Sequence, residues 1–371
     1  MGLLEYKKVY VLAPYNYATG GVELAHQLVD YLRNNGREAF ITYINVDRKS
    51  SDVVFVDDTN VTKQYQGYNI KVATKIEDEK DNVVVIPEAF LVVIPYFTKA
   101  QVCIWWMSVE SALNWNGNFW DIYKHEPNFK EKIRLLKPIA KDASIRLHLY
   151  GLYAKYIKKE ESSANIRFSN RFSMSKVRRE DHRLFHFYQA TYIQSYLYKQ
   201  KFDRVIRLTD YINPEILNNV DTTNKKKEDI ILYNPSKGIR YTKKLMKKIP
   251  GYKFIALKGF TREQLNELFD KAKLYIDFGP FPGKDRLPRE AAIHNCCIIT
   301  GRFGASGFFE DVPIYGQYKF DMLHPNYNSI KERIDYIFAH YDECIKDFAY
   351  MRDVIKHEQE NFYREIDNIF G

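Results

Sequence analysis

The chain has 371 residues, 45% of them hydrophobic and 28% charged, and a formal net charge of +9. That composition describes a globular protein with enough chain for two cores of roughly 150 residues or more each. The sequence has no low-complexity tract and no repeat of fixed period, and no stretch approaches the roughly 20 apolar residues that span a bilayer.

The first segment, KKVYVLAP, predicts a strand, so the N-terminus is expected to enter a sheet rather than act as a secretory leader. A YNYATGG loop follows. Val22, Leu24, Ala25, Leu28, Val29 and Leu32 then recur at helical spacing, and Gly36 is a plausible stop. REAFITYIN, VVFVD, YNIKVAT, NVVVIPE and AQVCIWWMS are short apolar runs that predict a mostly parallel sheet. Residues 130 to 200 read as helical and basic. The polar, aperiodic LNNVDTTNKKKED (217–229) is the best linker. A second alternation starts at DIILYNPSKG and continues through TKKLMKKI, YKFIALKG and TREQLNELFDKA to LYIDFGPFPGKDRLPREAAIHNCCIITG. The tail from Asn326 to Phe370 reads as helical. The expected domains are therefore 1–216, a linker 217–229, 230–345, and a C-terminal helix 346–371 that crosses back to the first domain.

Cys103, Cys296, Cys297 and Cys344 form no CxxC pair and read as buried, reduced thiols, which fits a reducing cytosol. The positive charge permits an anionic partner. It gathers at Lys155, Lys158, Lys159, Arg167, Arg171, Lys176, Arg178 and Arg179, and again at Lys225–Lys227. These runs are either solvated faces and linker or a patch facing anionic lipid headgroups. No DNA- or RNA-binding motif is present, so nucleic acid is not an expected partner.

Three loops carry candidate chemistry. Gly20 and Gly21 lie between a strand and a helix, where backbone N–H groups meet phosphate; a tight turn alone is the plainer alternative. Lys237, in YNPSKG, can reach a diphosphate or simply occupy a turn, and Lys258 holds the matching position after the next strand. In the third loop, Glu290 is expected in the first helical turn, either capping the helix or accepting from two ribose hydroxyls. Arg289 can pair with a carboxylate or a phosphate. Glu110 and Glu88 follow strands and are the candidates for a catalytic base. His26 reads as a packing or surface histidine. Trp105, Trp106, Trp115 and Trp120 divide between core and acceptor side. No DxD pair and no zinc-spaced His/Cys cluster occurs, so no metal is expected.

In order and spacing, GGVELAHQL, WWMSVES, the 187–217 run, the SKG loop and PREAA before CCIITG resemble GT-B-fold glycosyltransferases. The group they resemble is the family-4-like enzymes of bacterial capsule and O-antigen assembly. The resemblance covers most of the chain. It implies an α/β protein of two Rossmann-like domains facing across a cleft, with a helical C-terminal tail. It also implies a cytoplasmic, metal-independent transferase, peripheral at the inner face of the membrane and without a cofactor. Such an enzyme moves a hexosyl or deoxyhexosyl group from a UDP-, GDP- or dTDP-sugar to a glycan or lipid-linked saccharide. In that pattern Gly20 and Gly21 face the donor diphosphate, Lys237 and Lys258 neutralise it, and Glu290 is the second glutamate of E-x7-E. The first glutamate is replaced by Pro282, with Asp285 the nearest carboxylate. The competing expectations are a GT-B nucleotide-sugar epimerase and a non-enzymatic, two-lobed sugar- or nucleotide-binding protein.

Overall fold

The computed structural model describes residues 2–46, 53–116, 119–126, 129–147, 174–218 and 226–371. Lys155, Lys158, Lys159, Arg167, Arg171 and Lys225 of the basic runs lie outside them, as do the side chains of Trp115 and Trp120. The chain divides into two compact units. The first comprises Met1–Tyr188, Tyr196–Leu208 and Ile366–Gly371; the second comprises Gln189–Ser195 and Thr209–Glu365.

The first unit is built on seven strands: β1 (Lys8–Pro14), β2 (Glu38–Val46), β3 (Val53–Phe55), β4 (Asn82–Pro87), β5 (Gln101–Trp106), β6 (Leu184–Tyr188) and β7 (Val205–Arg207). Their spatial order is β3-β2-β1-β4-β5-β6-β7. All neighbours pair in parallel except β3, which runs antiparallel to β2 at the edge. Strands buried on both faces explain the near-continuous apolar runs VYVLA and VVVI. The first helix, Gly20–Asn34, buries Leu24, Ala25, Leu28, Val29 and Leu32, the face that its spacing predicts.

Two sequence expectations change here. YNIKVAT contributes only an isolated bridge from Val72 to Ile41 and no strand. Leu184–Tyr188 is a strand and not part of a helical stretch, because β5 on one side and β7 on the other supply its pairing. Its aromatic residues suit a strand once tertiary neighbours exist. Trp105 and Trp106 are core residues. The Trp105 indole donates to the Leu208 carbonyl at 3.0 Å, and that of Trp106 donates to His186 Nδ1 at 3.0 Å. Because Nδ1 accepts, Nε2 carries the proton and donates to Asp181 at 2.6 Å.

The last residues of the chain also pack in this unit. Leu3 and Leu4 donate backbone N–H groups to the carbonyls of Asn368 and Ile369, and the Tyr6 hydroxyl donates to the Phe370 carbonyl at 2.7 Å.

The second unit has five strands: β8 (Glu228–Tyr233), β9 (Lys253–Ala256), β10 (Ala272–Asp277), β11 (Cys297–Gly301) and β12 (Lys319–Phe320). Their order is β12-β11-β10-β8-β9, all parallel. The helix Arg262–Lys271 starts on a capping box, with Thr261 and Gln264 satisfying each other's backbone N–H. Lys227 is no solvated linker lysine: its ammonium donates to the carbonyls of Phe269, Ala272 and His294 at 2.8, 3.1 and 2.6 Å. It closes the C-terminal ends of two helices, where a cation is favoured. The tail is helical through Tyr327–Ala339, Ala349–Lys356 and Glu358–Phe370. All four cysteines are free and buried.

Candidate functional site

Strand order decides where each sheet can hold a ligand. In an open parallel sheet, the loops after two adjacent strands part company where the order reverses, and the gap lies at their carboxyl ends. In the first unit the reversal falls between β1 and β4, and in the second between β8 and β10. Most of the residues singled out in the sequence lie at these two points.

At the first point, the loop after β1 runs into Gly20 and Gly21, which open the Gly20–Asn34 helix after an extended Thr19. A Cβ on Gly21 would lie 3.1 Å from Met107 Sδ, so glycine lets the loop approach the end of β5. Met107 in turn donates its backbone N–H to Glu88 Oε2 at 3.1 Å. Glu88 directly follows β4 and is 5% exposed. Burial, the dominant cause, pushes its carboxyl up to about 7, with the Met107 amide opposing. Burial thus favours the neutral form of the Glu88 carboxyl. Glu110 sits in the first turn of the helix Val109–Asn116, half-buried and 3.5 Å from His125 Nε2. His26 packs in the core: its Nδ1 donates to Val22 O (2.7 Å), its Nε2 accepts from Tyr43 Oη (2.8 Å), its ring lies against that of Tyr65, and burial pushes its pKa down to about 4.

Glu88 gives a stability prediction with a definite sign. Its folded pKa is raised above the unfolded value, so ionisation opposes folding increasingly as pH rises from about 4.5 to 7. Glu88→Gln mimics the protonated form. It is expected to melt close to wild type at pH 5 and to be about 3 kcal/mol more stable at pH 8 by chemical denaturation. A stability gap that does not widen with pH would contradict the buried, proton-bearing state.

At the second point, the loop after β8 brings Lys237 to the N-terminus of the helix Ile239–Lys248. Gly238 has φ +64°, and a Cβ there would lie 2.3 Å from Gly279 N. The SKG loop and the loop after β10 thus pack backbone against backbone, which only glycine permits. Lys237 Nζ forms an ion pair with Asp285, donates to Pro280 O at 3.2 Å, stands 3.8 Å from Asp277 Oδ2 and lies over the Phe281 ring at 4.4 Å.

Asp277, the last residue of β10, is a member of this cluster that its sequence position did not single out. It is buried and accepts from Gly279 N at 2.9 Å and Tyr275 Oη at 3.2 Å. Burial raises its carboxyl to about 6, against the pull of Lys237. The signal available in LYIDF was a carboxylate at the carboxyl end of an otherwise apolar strand. Lys258 follows β9, next to β8 but away from the reversal, and is exposed.

The third loop departs from expectation in two ways. The helix spans Arg286–Ile293 with Asp285 as its N-cap residue, so Glu290 lies beyond the first turn. It does not cap the helix; it is buried and accepts from Arg262 Nη1 at 2.7 Å. Arg289 takes the carboxylate alternative, and its five N–H donors are all engaged. Nη1 and Nη2 grip Asp210 at 3.2 and 2.6 Å, Nη1 also meets Glu358 at 2.7 Å, and the remaining donors reach the Lys284 and Asp285 carbonyls at 3.1 Å. Lys284 Nζ completes the network on Glu358 at 2.8 Å and Asp210 at 3.4 Å. Arg289 thus ties Asp210 and Glu358 to the 284–285 backbone, next to the Asp285 that pairs with Lys237.

No protein-family model and no curated protein sequence matches the chain. Solved structures do match it in fold. Anabaena Alr3699/HepE, in complex with UDP and glucose, superposes with a TM-score of 0.56 at 9% identity over 98% of both chains. Sucrose-phosphate synthase from Thermosynechococcus elongatus gives 0.52 at 10% identity over 97% of both. The catalytic domain of starch synthase IV from Arabidopsis thaliana, bound to ADP and acarbose, gives 0.51 at 9% identity over 99% of this chain and 100% of that one. With its parallel, Rossmann-like sheets and helical C-terminal region, the chain has the fold of GT-B glycosyltransferases.

Proposed function

We propose that this protein is a glycosyltransferase that takes its sugar from a nucleotide donor. The observation that carries the reading is the place of Lys237. A lysine is held at the sheet reversal of the second unit, beside a helix N-terminus, by two carboxylates that a ligand can displace. A cation and a positive helix end converging on one point suit a diphosphate. The fold shared with structures that hold UDP with glucose, and ADP, supports the same reading.

In this reading Lys237 stabilises the charge that develops on the departing nucleoside diphosphate. Lys258 adds charge from the neighbouring strand end, Asp285 returns to Lys237 when the site empties, and Glu290, steadied by Arg262, receives the ribose hydroxyls. Gly20 and Gly21 leave room for ligand backbone approach on the first unit. Glu88, whose carboxyl burial pushes up to about 7, is one candidate base for the acceptor hydroxyl, and Glu110 is the other. The acceptor is a hydroxyl of a surface glycan carried on lipid.

A thermal-shift panel of UDP, GDP, dTDP, ADP and free hexoses tests the assignment. One nucleoside diphosphate is expected to stabilise the protein by about 2.7 kcal/mol at a hundred times its Kd. That corresponds to roughly 5–10 °C for units of this size. Stabilisation by free sugar with indifference to every nucleotide would replace the transferase with a sugar-binding protein.

A further inference from the structure

The helix Phe129–Arg146 of the first unit half-buries Leu135 and Ile139 but leaves other apolar residues on the outside. Phe129, Ile133 and Leu136 are 74%, 51% and 48% exposed, and Leu147, which prolongs the helix by donating to Ala143 O, is 66% exposed. Ala140 and Ala143 are exposed as well. The spacing 129, 133, 136, 140, 143, 147 is a single stripe along a helix. Each of the first three positions is followed by an exposed cation: Lys130, Arg134 and Lys137. Successive helical residues are about 100° apart, so a basic stripe runs beside the apolar one. Glu131 is paired with Arg134 at 2.8 Å.

An exposed apolar stripe flanked by cations fits one kind of surface. A second copy of the chain would bring like charges together along the contact. A bilayer leaflet with anionic headgroups takes both stripes at once, with the apolar side chains in the acyl boundary and the cations at the phosphates. No helix among the described residues is long and apolar enough to cross a membrane, so the contact lies in the plane of the surface.

We propose that the Phe129–Leu147 stripe docks this protein on an anionic lipid surface. The proposal is independent of the transferase reading, since it concerns the ligand-free protein. The test is co-sedimentation of the full chain with phosphatidylcholine vesicles, with and without phosphatidylglycerol, across a salt series.

Binding is expected only to the anionic vesicles and is expected to weaken as salt rises. Ile133→Glu with Leu136→Glu is expected to reduce partitioning at least ~10-fold. Neutralising Lys130, Arg134 and Lys137 to Gln is expected to cost about fivefold per charge and to flatten the salt dependence. These side chains are exposed, so melting of the variants checks that the fold survives. Wild-type protein that ignores anionic vesicles would overturn the proposal, as would a double glutamate variant that binds undiminished. A dimer seen by sedimentation velocity and dissolved by the glutamate variant, without vesicle binding, would assign the stripe to a second copy instead.

Discussion

Lys237→Ala is expected to lower release of nucleoside diphosphate from the donor sugar at least ~100-fold and to abolish the thermal shift given by the matching diphosphate. The reason is geometric. Lys237 is the cation at the reversal between β8 and β10, and its Nζ lies among the groups a diphosphate would replace: Asp285, Asp277 and the Pro280 carbonyl. Without it, an incoming diphosphate meets Asp285, and Asp277 when ionised, with the partial charge of the helix N-terminus against them. Lys258 cannot compensate fully from the outer strand end, where it is exposed and its attraction is screened by water. The fold is expected to survive, because Asp277 keeps its Gly279 and Tyr275 partners and its raised pKa lets it go neutral. A Lys237→Ala enzyme that turns over its donor at the wild-type rate would remove the basis for the proposed site.

The alternation of strands and helices was readable because period-2 and period-3.6 patterns are local, and because loops that matter chemically follow strands. Gly20, Gly21 and Lys237 could be picked out for that reason. What escaped was set by partners far away in the chain. Leu184–Tyr188 is a strand because β5 and β7 flank it, and nothing in a basic, aromatic stretch announces that. Glu290 falls beyond the first turn that the sequence suggests for it, because Pro288 can occupy any first-turn position, where its missing N–H would have no partner. The extended Asp285 sets the start at Arg286. Asp277 was visible as a residue, but its burial was not. The Arg289 network was the least legible, since Asp210 and Glu358 are 79 and 69 residues distant. Strand order was equally hidden, yet it is what turns scattered loops into two reversal points.

The Arg289 network also sets the largest expected loss of stability. Arg289→Ala removes the group that bridges two buried carboxylates and leaves Lys284 as the cation facing both. Breaking a buried ion pair from one side costs roughly 3–5 kcal/mol, because the stranded charge has lost its water as well as its partner. For a unit of this size the melting temperature is expected to fall by about 10 °C or more. Arg289→Lys is expected to rescue little, since an ammonium cannot reproduce five donors in a planar fork.

The pH dependence separates this loss from simple loss of packing. Burial alone would raise the Asp210 carboxyl, but the charges of Arg289 and Lys284 more than offset it and hold it below the usual range. A depressed folded pKa contributes stability above the unfolded value of about 4, and that contribution disappears as pH falls through the folded value. The gap between wild type and Arg289→Ala is therefore expected to be full at pH 7 and to shrink below pH 4. Because Arg289 also anchors the 284–285 backbone beneath Asp285, the variant that remains folded is expected to bind its nucleoside diphosphate more weakly. A variant that melts within 1 °C of wild type, with unchanged nucleotide affinity, would show that the network neither holds the unit together nor positions the loop.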